Sequence, residues 1–386
     1  MDSEYTDLLH RCFRCGWCKL PTNFVDFNCP AYLKYRFESF ASGGRMWLLS
    51  AWLNGEIETS ERLAKIMFSC VTCKNCVEAC ALPNIREKLV DIFIAAREDL
   101  VEKSVVPPEV RDYLKAMNIN GNPYKKPQEE RDAWTDGLDI PRYTDQEFLF
   151  YVGDVGSYDE LGIQMTRSVA ALLRDTGVSI GILGNEEASD GNDVKALGER
   201  GLYEYMAERN TALFGEKGVR KIITLSPHAF NVFKNDYFYP NGRVEVYHFT
   251  QILGLMMNEK MPKGRLDATV TFHDPCYLGR WNKEYWAPRF LLGSIPGIRL
   301  VEMERNMQNA LCCGGGGGNF FTDILGTGPD SSSQVRVREA AETGAEILAV
   351  ACPICCKMLD DALKAEGLQD RLQVMDVASI VNRARE

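Results

Sequence analysis

The chain has 386 residues, 45% of them hydrophobic and 25% charged, with a formal net charge of −10. This is the composition of a soluble globular protein whose length calls for two or three domains, and its acidity argues against a phosphate-binding surface for nucleic acid. No apolar run approaches the ~18 residues of a spanning helix, and residues 1–10 are acidic without an apolar core, so neither a transmembrane segment nor a secretory signal is read.

In chain order, residues 1–105 read as helical. Asn84 and Glu87 have the spacing of a reciprocal helix cap, and Ile85, Leu89, Ile92, Ala96 and Leu100 then fall on one helical face. Residues 106–145 read as a linker, broken by Pro107, Pro108, Pro123, Pro127 and Pro141 and loosened by Gly121 and Gly137. From residue 146 strands and helices alternate. Strands are expected at 148–152, 179–183, 221–225 and 244–248, with helices at 161–174, 194–214 and from Pro227 to Lys234. The rhythm recurs with strands at 268–273, 299–302 and 347–350 and helices at 285–292, 334–343 and from Pro353. Such alternation implies parallel α/β layers. The fold class is therefore α plus α/β: a helical domain followed by two α/β domains, at 146–262 and 263–386.

The two α/β segments read as copies of each other. Asp154, Ser189, Asp190, Ser226 and Ala229 precede Cys276, Cys312, Cys313, Cys352 and Cys355 by a nearly constant offset, at matched strand-to-helix junctions. On that reading the first copy has lost every cysteine.

Fourteen cysteines in a chain read as cytoplasmic point to metal or redox chemistry, because that compartment keeps thiols reduced. Eight precede residue 81, in two runs: Cys12, Cys15, Cys18 with Cys29, and Cys70, Cys73, Cys76 with Cys80. Three thiolates two residues apart wrap three corners of a cubane, and the fourth corner comes from elsewhere. In two-cluster ferredoxins the last cysteine of each run serves the other cluster. Cys12, Cys15, Cys18 and Cys80 then hold one [4Fe–4S] cluster, and Cys70, Cys73, Cys76 and Cys29 the other. Zinc fingers prefer two separate Cys-x2-Cys pairs, so triplets suit zinc poorly. Two departures stand out: residues 19–28 are inserted before Cys29, read as a loop covering the first cluster, and Ala81 rather than proline follows Cys80.

The C-terminal cysteines follow predicted strands or lie beside the glycine run Gly314–Gly318, which lets backbone approach a bulky inorganic group. The run lacks the Lys-Ser/Thr of a phosphate loop, and no dinucleotide fingerprint is present, so flavin or nicotinamide binding is not expected. His273, beside Cys276, and His228, read as its counterpart in the first copy, are candidate proton donors, with loop-fixing hydrogen bonds as the alternative role. Arg280 either offsets cluster charge or is a solvated surface arginine.

The stretches His273-Asp274-Pro275-Cys276-Tyr277-Leu278-Gly279-Arg280, Leu311-Cys312-Cys313-Gly314 and Ala351-Cys352-Pro353-Ile354-Cys355 resemble the CCG cysteine-rich domain of the heterodisulfide reductase family. The whole chain resembles its iron–sulfur subunits. The resemblance implies a noncubane [4Fe–4S] cluster on Cys276, Cys312, Cys313, Cys352 and Cys355, with Cys356 left as a buried apolar filler. It also implies that heterodisulfide cleavage uses two noncubane clusters, of which this chain keeps ligands for one; serine and aspartate replace soft ligands poorly.

The function expected is an iron–sulfur electron-transfer subunit of an anaerobic oxidoreductase complex. A thiol–disulfide reductase centred on the C-terminal cluster is the alternative, and a zinc-stabilised interaction module the third reading. Expected partners are other redox subunits: a flavoprotein, a hydrogenase-like or acyl-CoA-reductase-type subunit, or a quinone-linked membrane subunit. The expected location is the cytoplasm, or the membrane periphery through a partner.

Overall fold

The computed structural model describes residues 3–257 and 264–385. Met1, Asp2 and the boundary expected between residues 262 and 263 lie outside the described residues. Two four-stranded parallel sheets follow a helical N-terminal region. The first contains β1 (Phe148–Tyr151), β2 (Ile180–Gly181), β3 (Lys221–Thr224) and β4 (Glu245–His248), ordered β2-β1-β3-β4. The second contains β5 (Ala268–Phe272), β6 (Ile298–Leu300), β7 (Ile347–Val350) and β8 (Gln373–Asp376), ordered β6-β5-β7-β8. The central strands β1 and β7 are apolar and buried throughout, as strands covered by helices on both faces must be.

The two sheets also share a register. Phe150 pairs with Ile223 and Phe272 pairs with Ala349. Counting on from these pairs, Asp154 occupies the place of Cys276, and Ser226 that of Cys352. The same count makes Tyr151 the counterpart of His273, and Ile354 that of His228. The sequence pairing of the two histidines is thereby corrected: they leave different strands.

One hydrophobic core joins both sheets, with Phe150, Val169 and Ile223 from the first half and Phe272, Leu291 and Ile380 from the second. The helices Glu160–Asp175 and Val377–Arg385 meet across it, with the hydroxyls of Ser168 and Ser379 2.9 Å apart.

Several elements differ from the sequence expectation. Asn84 lies inside a one-turn helix, Pro83–Arg86, and no reciprocal cap forms; the long helix begins at Leu89 and runs to Glu102. The expected apolar face is nevertheless buried, from Ile85 to Leu100. The linker contains a 13-residue helix, Pro108–Asn120. Pro108 sits in its first turn, where the missing N–H has no helical partner to lose and the ring preorganises the backbone. The helix expected at 194–214 is two helices, Asn192–Ala196 and Arg200–Glu216. Gly198 breaks it at φ +82°, where a Cβ would meet the backbone of Arg97 and Glu98 at 2.6 Å. The break seats the first half against the N-terminal helices, and the buried guanidinium of Arg97 reinforces it by donating to the carbonyls of Met67, Cys70 and Ala196.

Candidate metal centres

The two N-terminal cysteine runs fold alike. Arg14 and Gly16 separate Cys12, Cys15 and Cys18, and Thr72 and Lys74 separate Cys70, Cys73 and Cys76. All four separators have left-handed backbone, with φ between 50° and 84°. Left-handed residues between ligands curl the chain into a concave loop whose amides turn inward, a shape suited to an anionic inorganic core. Gly43, in the first turn of the helix Ser42–Leu53, adds an amide donated to Cys18 Sγ at 3.4 Å.

The distal cysteines approach both runs. Cys80 is raised by burial, and Cys15 and Cys12 stand near enough to add to the rise. Burial pushes Cys29 up to about 11 against the pull of Arg45, with Cys73 and Cys70 adding to it. Cys80 thus lies near Cys15 and Cys12, while Cys29 lies near Cys73 and Cys70 and also near Cys18. Buried thiols of this kind resist ionising alone; bound iron would supply the compensating charge.

Two asparagines that the sequence reading missed tie the runs together. Asn28 Nδ2 donates to Asn75 Oδ1 at 2.5 Å, and Asn75 Nδ2 donates to the carbonyls of Cys18 and Leu20. No spacing rule marks them, because their partners are distant in sequence. The inserted segment 19–28 has polar contacts with the C-terminal half as well as with the first cysteine run. Thr22 donates to Asn309 Oδ1, Asn23 to the Glu304 carbonyl, and the Phe27 carbonyl accepts from Arg305. These contacts make it a tie between the halves.

In the C-terminal half the five motif cysteines are all buried. Cys276 follows β5, Cys312 and Cys313 lie in the glycine loop, Cys352 caps the helix Pro353–Ala365, and Cys355 sits in its first turn. Cys276 Sγ and Cys312 Sγ are 3.7 Å apart, and Cys313 Sγ and Cys355 Sγ 3.4 Å. A ring nitrogen of His273 and the sulfurs of Cys313 and Cys355 all lie within 4.8 Å of one another. The Nε2 of this fully buried histidine has no hydrogen-bond partner. A buried group of thiols with an orphaned donor aimed among them fits a soft, sulfur-rich metal core. Cys356 is buried on the same helix, with Asp376 and Asp360 as its largest charged neighbours.

The glycine loop also serves the packing of the two halves. A Cβ on Gly316 would meet the carbonyl oxygen of Val71 at 2.7 Å, and one on Gly317 would meet that of Cys70 at 2.9 Å. The glycines admit the second cysteine loop. Arg280 completes this junction: it is 2% exposed, so it is no surface arginine, and it donates to the carbonyls of Cys73 and Ala310 at 2.6 and 2.5 Å. Trp281 Nε1 donates to the Thr72 carbonyl, and the hydroxyls of Thr72 and Tyr277 are 2.9 Å apart. At the centre the Cys312 thiol is the largest cause of the raised Cys73 pKa. Thiols assigned to two different centres are therefore neighbours.

The corresponding positions of the first half carry hydrogen-bonding work instead. Asp154 pairs with Arg131 at 2.7 Å, and Arg131 also holds Glu187. Asp190 accepts the Asn192 amide, and Ser226 caps the helix Pro227–Asn235. His228 sits between the halves. Burial disfavours its charge, but the neighbouring Cys352 sulfur and the carboxylates of Asp193 and Asp190 prevail and raise it to about 9.

This is the constitution of a cysteine-rich iron–sulfur protein with a two-cluster domain. Residues 8–83 match the 4Fe-4S dicluster domain family, and residues 270–360 the Cysteine-rich domain family. The chain is 30% identical over 402 residues to one of the subunits of the dihydromethanophenazine:CoB–CoM heterodisulfide reductase of Methanosarcina barkeri, covering 97% of this chain and 94% of that one. The chain belongs to this family of iron–sulfur oxidoreductase subunits. It is also similar to the probable iron-sulfur-binding oxidoreductase FadF of Bacillus subtilis, at 35% identity over 85% of this chain, but spans only 47% of that protein's length. The EtfAB:quinone oxidoreductase of Syntrophomonas wolfei is 28% identical over all of this chain and 60% of its own. A crystal structure of a hypothetical protein from Helicobacter pylori shares the fold, with a TM-score of 0.56 at 13% identity, over 100% of this chain and 73% of that one. Among the described residues no helix is long and apolar enough to cross a membrane.

Proposed function

We propose that this chain is the electron-transfer subunit of a larger redox complex. Cys12, Cys15, Cys18 and Cys80 hold one cubane [4Fe–4S] cluster, and Cys70, Cys73, Cys76 and Cys29 a second. Cys276, Cys312, Cys313, Cys352 and Cys355 hold a noncubane [4Fe–4S] cluster. Such clusters supply one-electron chemistry; the protein sets their spacing, hydrogen bonds and charge. The helical domain at 1–105, the linker at 106–145 and a duplicated α/β pair at 146–262 and 263–386, the first copy stripped of ligands, complete the reading. The observation that carries it is the contact of Cys73 with Cys312 beneath Arg280, because a relay needs adjacent centres. The partners are other redox subunits, flavoprotein or quinone-linked, as the names of the relatives suggest. Iron and sulfide analysis of anaerobically prepared protein tests it: about 12 irons per chain are expected. Zinc without a brown chromophore would sink it.

A second reading, a thiol–disulfide reductase, is favoured by one feature. A pocket beside the C-terminal cysteines is lined by Cys313, Gly314, Lys34, Asn319, Ser332 and Met358 and opens to solvent, giving a small molecule a route to Cys313. Anaerobic turnover of small disulfides with reduced viologen would support it, and an EPR signal indifferent to thiols would exclude it.

A further inference from the structure

We propose that His273 donates its Nε2–H to the sulfur shell of the C-terminal cluster, and that Arg336 holds the ring in the donating tautomer. The inference rests on the cluster assignment above and adds a positioning pair to it.

The chain of contacts starts at Arg336, which is fully buried. Its Nη1 donates to Glu339 at 2.9 Å and to the Arg305 carbonyl at 2.8 Å, so the guanidinium cannot swing. Its Nε donates to His273 Nδ1 at 3.2 Å. A guanidinium has donors only, so Nδ1 must accept, and in the neutral ring the proton then lies on Nε2. The ring itself is anchored at the end of the central strand β5, where the His273 amide donates to the Ala349 carbonyl at 2.9 Å.

The Nε2–H points to no acceptor in the protein. Leaving a buried donor unsatisfied is costly, and a bound acceptor would remove that cost. The groups within reach are the thiols of Cys313 and Cys355. These are two of the five residues assigned to the cluster, whose thiolates and sulfides are acceptors.

The other half of the molecule supplies an internal comparison. Tyr151 stands at the position of His273 in the first sheet, and its hydroxyl donates to the Ala188 carbonyl at 2.7 Å. Where the cysteines are gone, the equivalent side chain is satisfied within the protein. Where they remain, the donor is held free. A partner that hydrogen-bonds an imidazole and fixes its orientation is a recurring device of metal sites, and hydrogen bonds to cluster sulfur raise the reduction potential.

The test uses the full chain, iron-loaded under anaerobic conditions, with EPR-monitored redox titration of all three clusters. His273→Phe is expected to shift the C-terminal cluster to lower potential and leave both cubanes unmoved. His273→Gln, which keeps an N–H donor, is expected to recover part of the shift, and Arg336→Met to lose part of it. In protein labelled with 15N-histidine, pulsed EPR is expected to find weak nitrogen coupling on the C-terminal signal that His273→Phe reduces, with the remainder coming from His228 beside Cys352. Unchanged potentials in His273→Phe with the cluster present would overturn the hydrogen bond and leave the cluster assignment standing. A strong coupling, as of iron-bound nitrogen, would overturn it too. If His273→Phe fails to load its cluster, Arg336→Met and the wild-type nitrogen coupling decide. A wild-type protein without a third cluster would overturn both readings.

Discussion

Arg280 Nε donates to the main-chain carbonyl of Cys73 at 2.6 Å, across 207 residues of sequence. With its other bond to the Ala310 carbonyl, it locks the second cysteine loop onto the loop that leads to Cys312. Burying a guanidinium is costly without such partners, and the nearby Cys73, Cys276 and Cys312 supply further compensation against the burial penalty. Arg280→Met keeps the bulk but takes the guanidinium donors from the carbonyls of Cys73, Ala310 and Gln308, leaving Ala310 only a 3.5 Å bond from Asn28. Thermal unfolding followed at the iron–sulfur absorption is expected to show a loss of about 3 kcal/mol. A change within experimental error would mean that Arg280 does not hold the junction.

The glycine loop yields a comparison of two alanines. Gly316→Ala puts a Cβ 2.7 Å from the Val71 carbonyl oxygen, whereas Gly344, at φ +71°, has nothing within 4 Å. The second substitution costs left-handed strain alone, about 1 kcal/mol. The first must move a backbone loop and is expected to cost at least about 2 kcal/mol. Denaturant midpoints of the two variants check the order; the reverse order would contradict the docking role of the loop.

Adjacent cysteines separate ligand from filler. Cys355→Ala is expected to lose about four irons per chain. Cys356→Ala, whose thiol faces Asp376 and Asp360, is expected to keep its full iron complement at a packing cost of about 1 kcal/mol. Equal losses in the two variants would refute the five-cysteine set.

His248 gives a pH prediction away from the cysteines. It is fully buried at the end of β4, with Nδ1 2.7 Å from the Thr250 hydroxyl, and burial pushes its pKa from 6.5 down to about 3. Between these values the unfolded chain binds a proton that the folded chain refuses. This histidine therefore costs no stability above pH 6.5 and destabilises progressively as pH falls toward 3. His248→Gln is expected to remove about 3 kcal/mol of the stability lost between pH 7 and pH 4. Urea unfolding of both proteins across that range checks it, and parallel pH profiles would contradict it.

The cysteine runs were legible because metal ligation depends on local spacing, and the matched strand ends were legible because buried parallel strands are near-continuous apolar runs. What failed was read too locally. Pro108 reads as a breaker in isolation yet starts a helix. Gly198 interrupts a periodic helix because of Arg97, about a hundred residues away. The Asn84–Glu87 spacing matches a cap, but the chain must first turn out of Cys80, and Pro83 leads only one turn. Arg280 was marked by its place beside Cys276, but its partners were not, and Arg336 and Asn75 carry no sequence signal at all, since their partners are set by the way the halves close on each other.

The central claim is that the second cubane and the C-terminal cluster are neighbours in one relay. EPR of the full chain, poised so that both are paramagnetic, tests this most directly. The account predicts magnetic interaction between them, seen as splitting or broadening of the cubane signal that disappears in Cys355→Ala. A sharp, unperturbed cubane signal in the presence of a fully paramagnetic C-terminal cluster would contradict it.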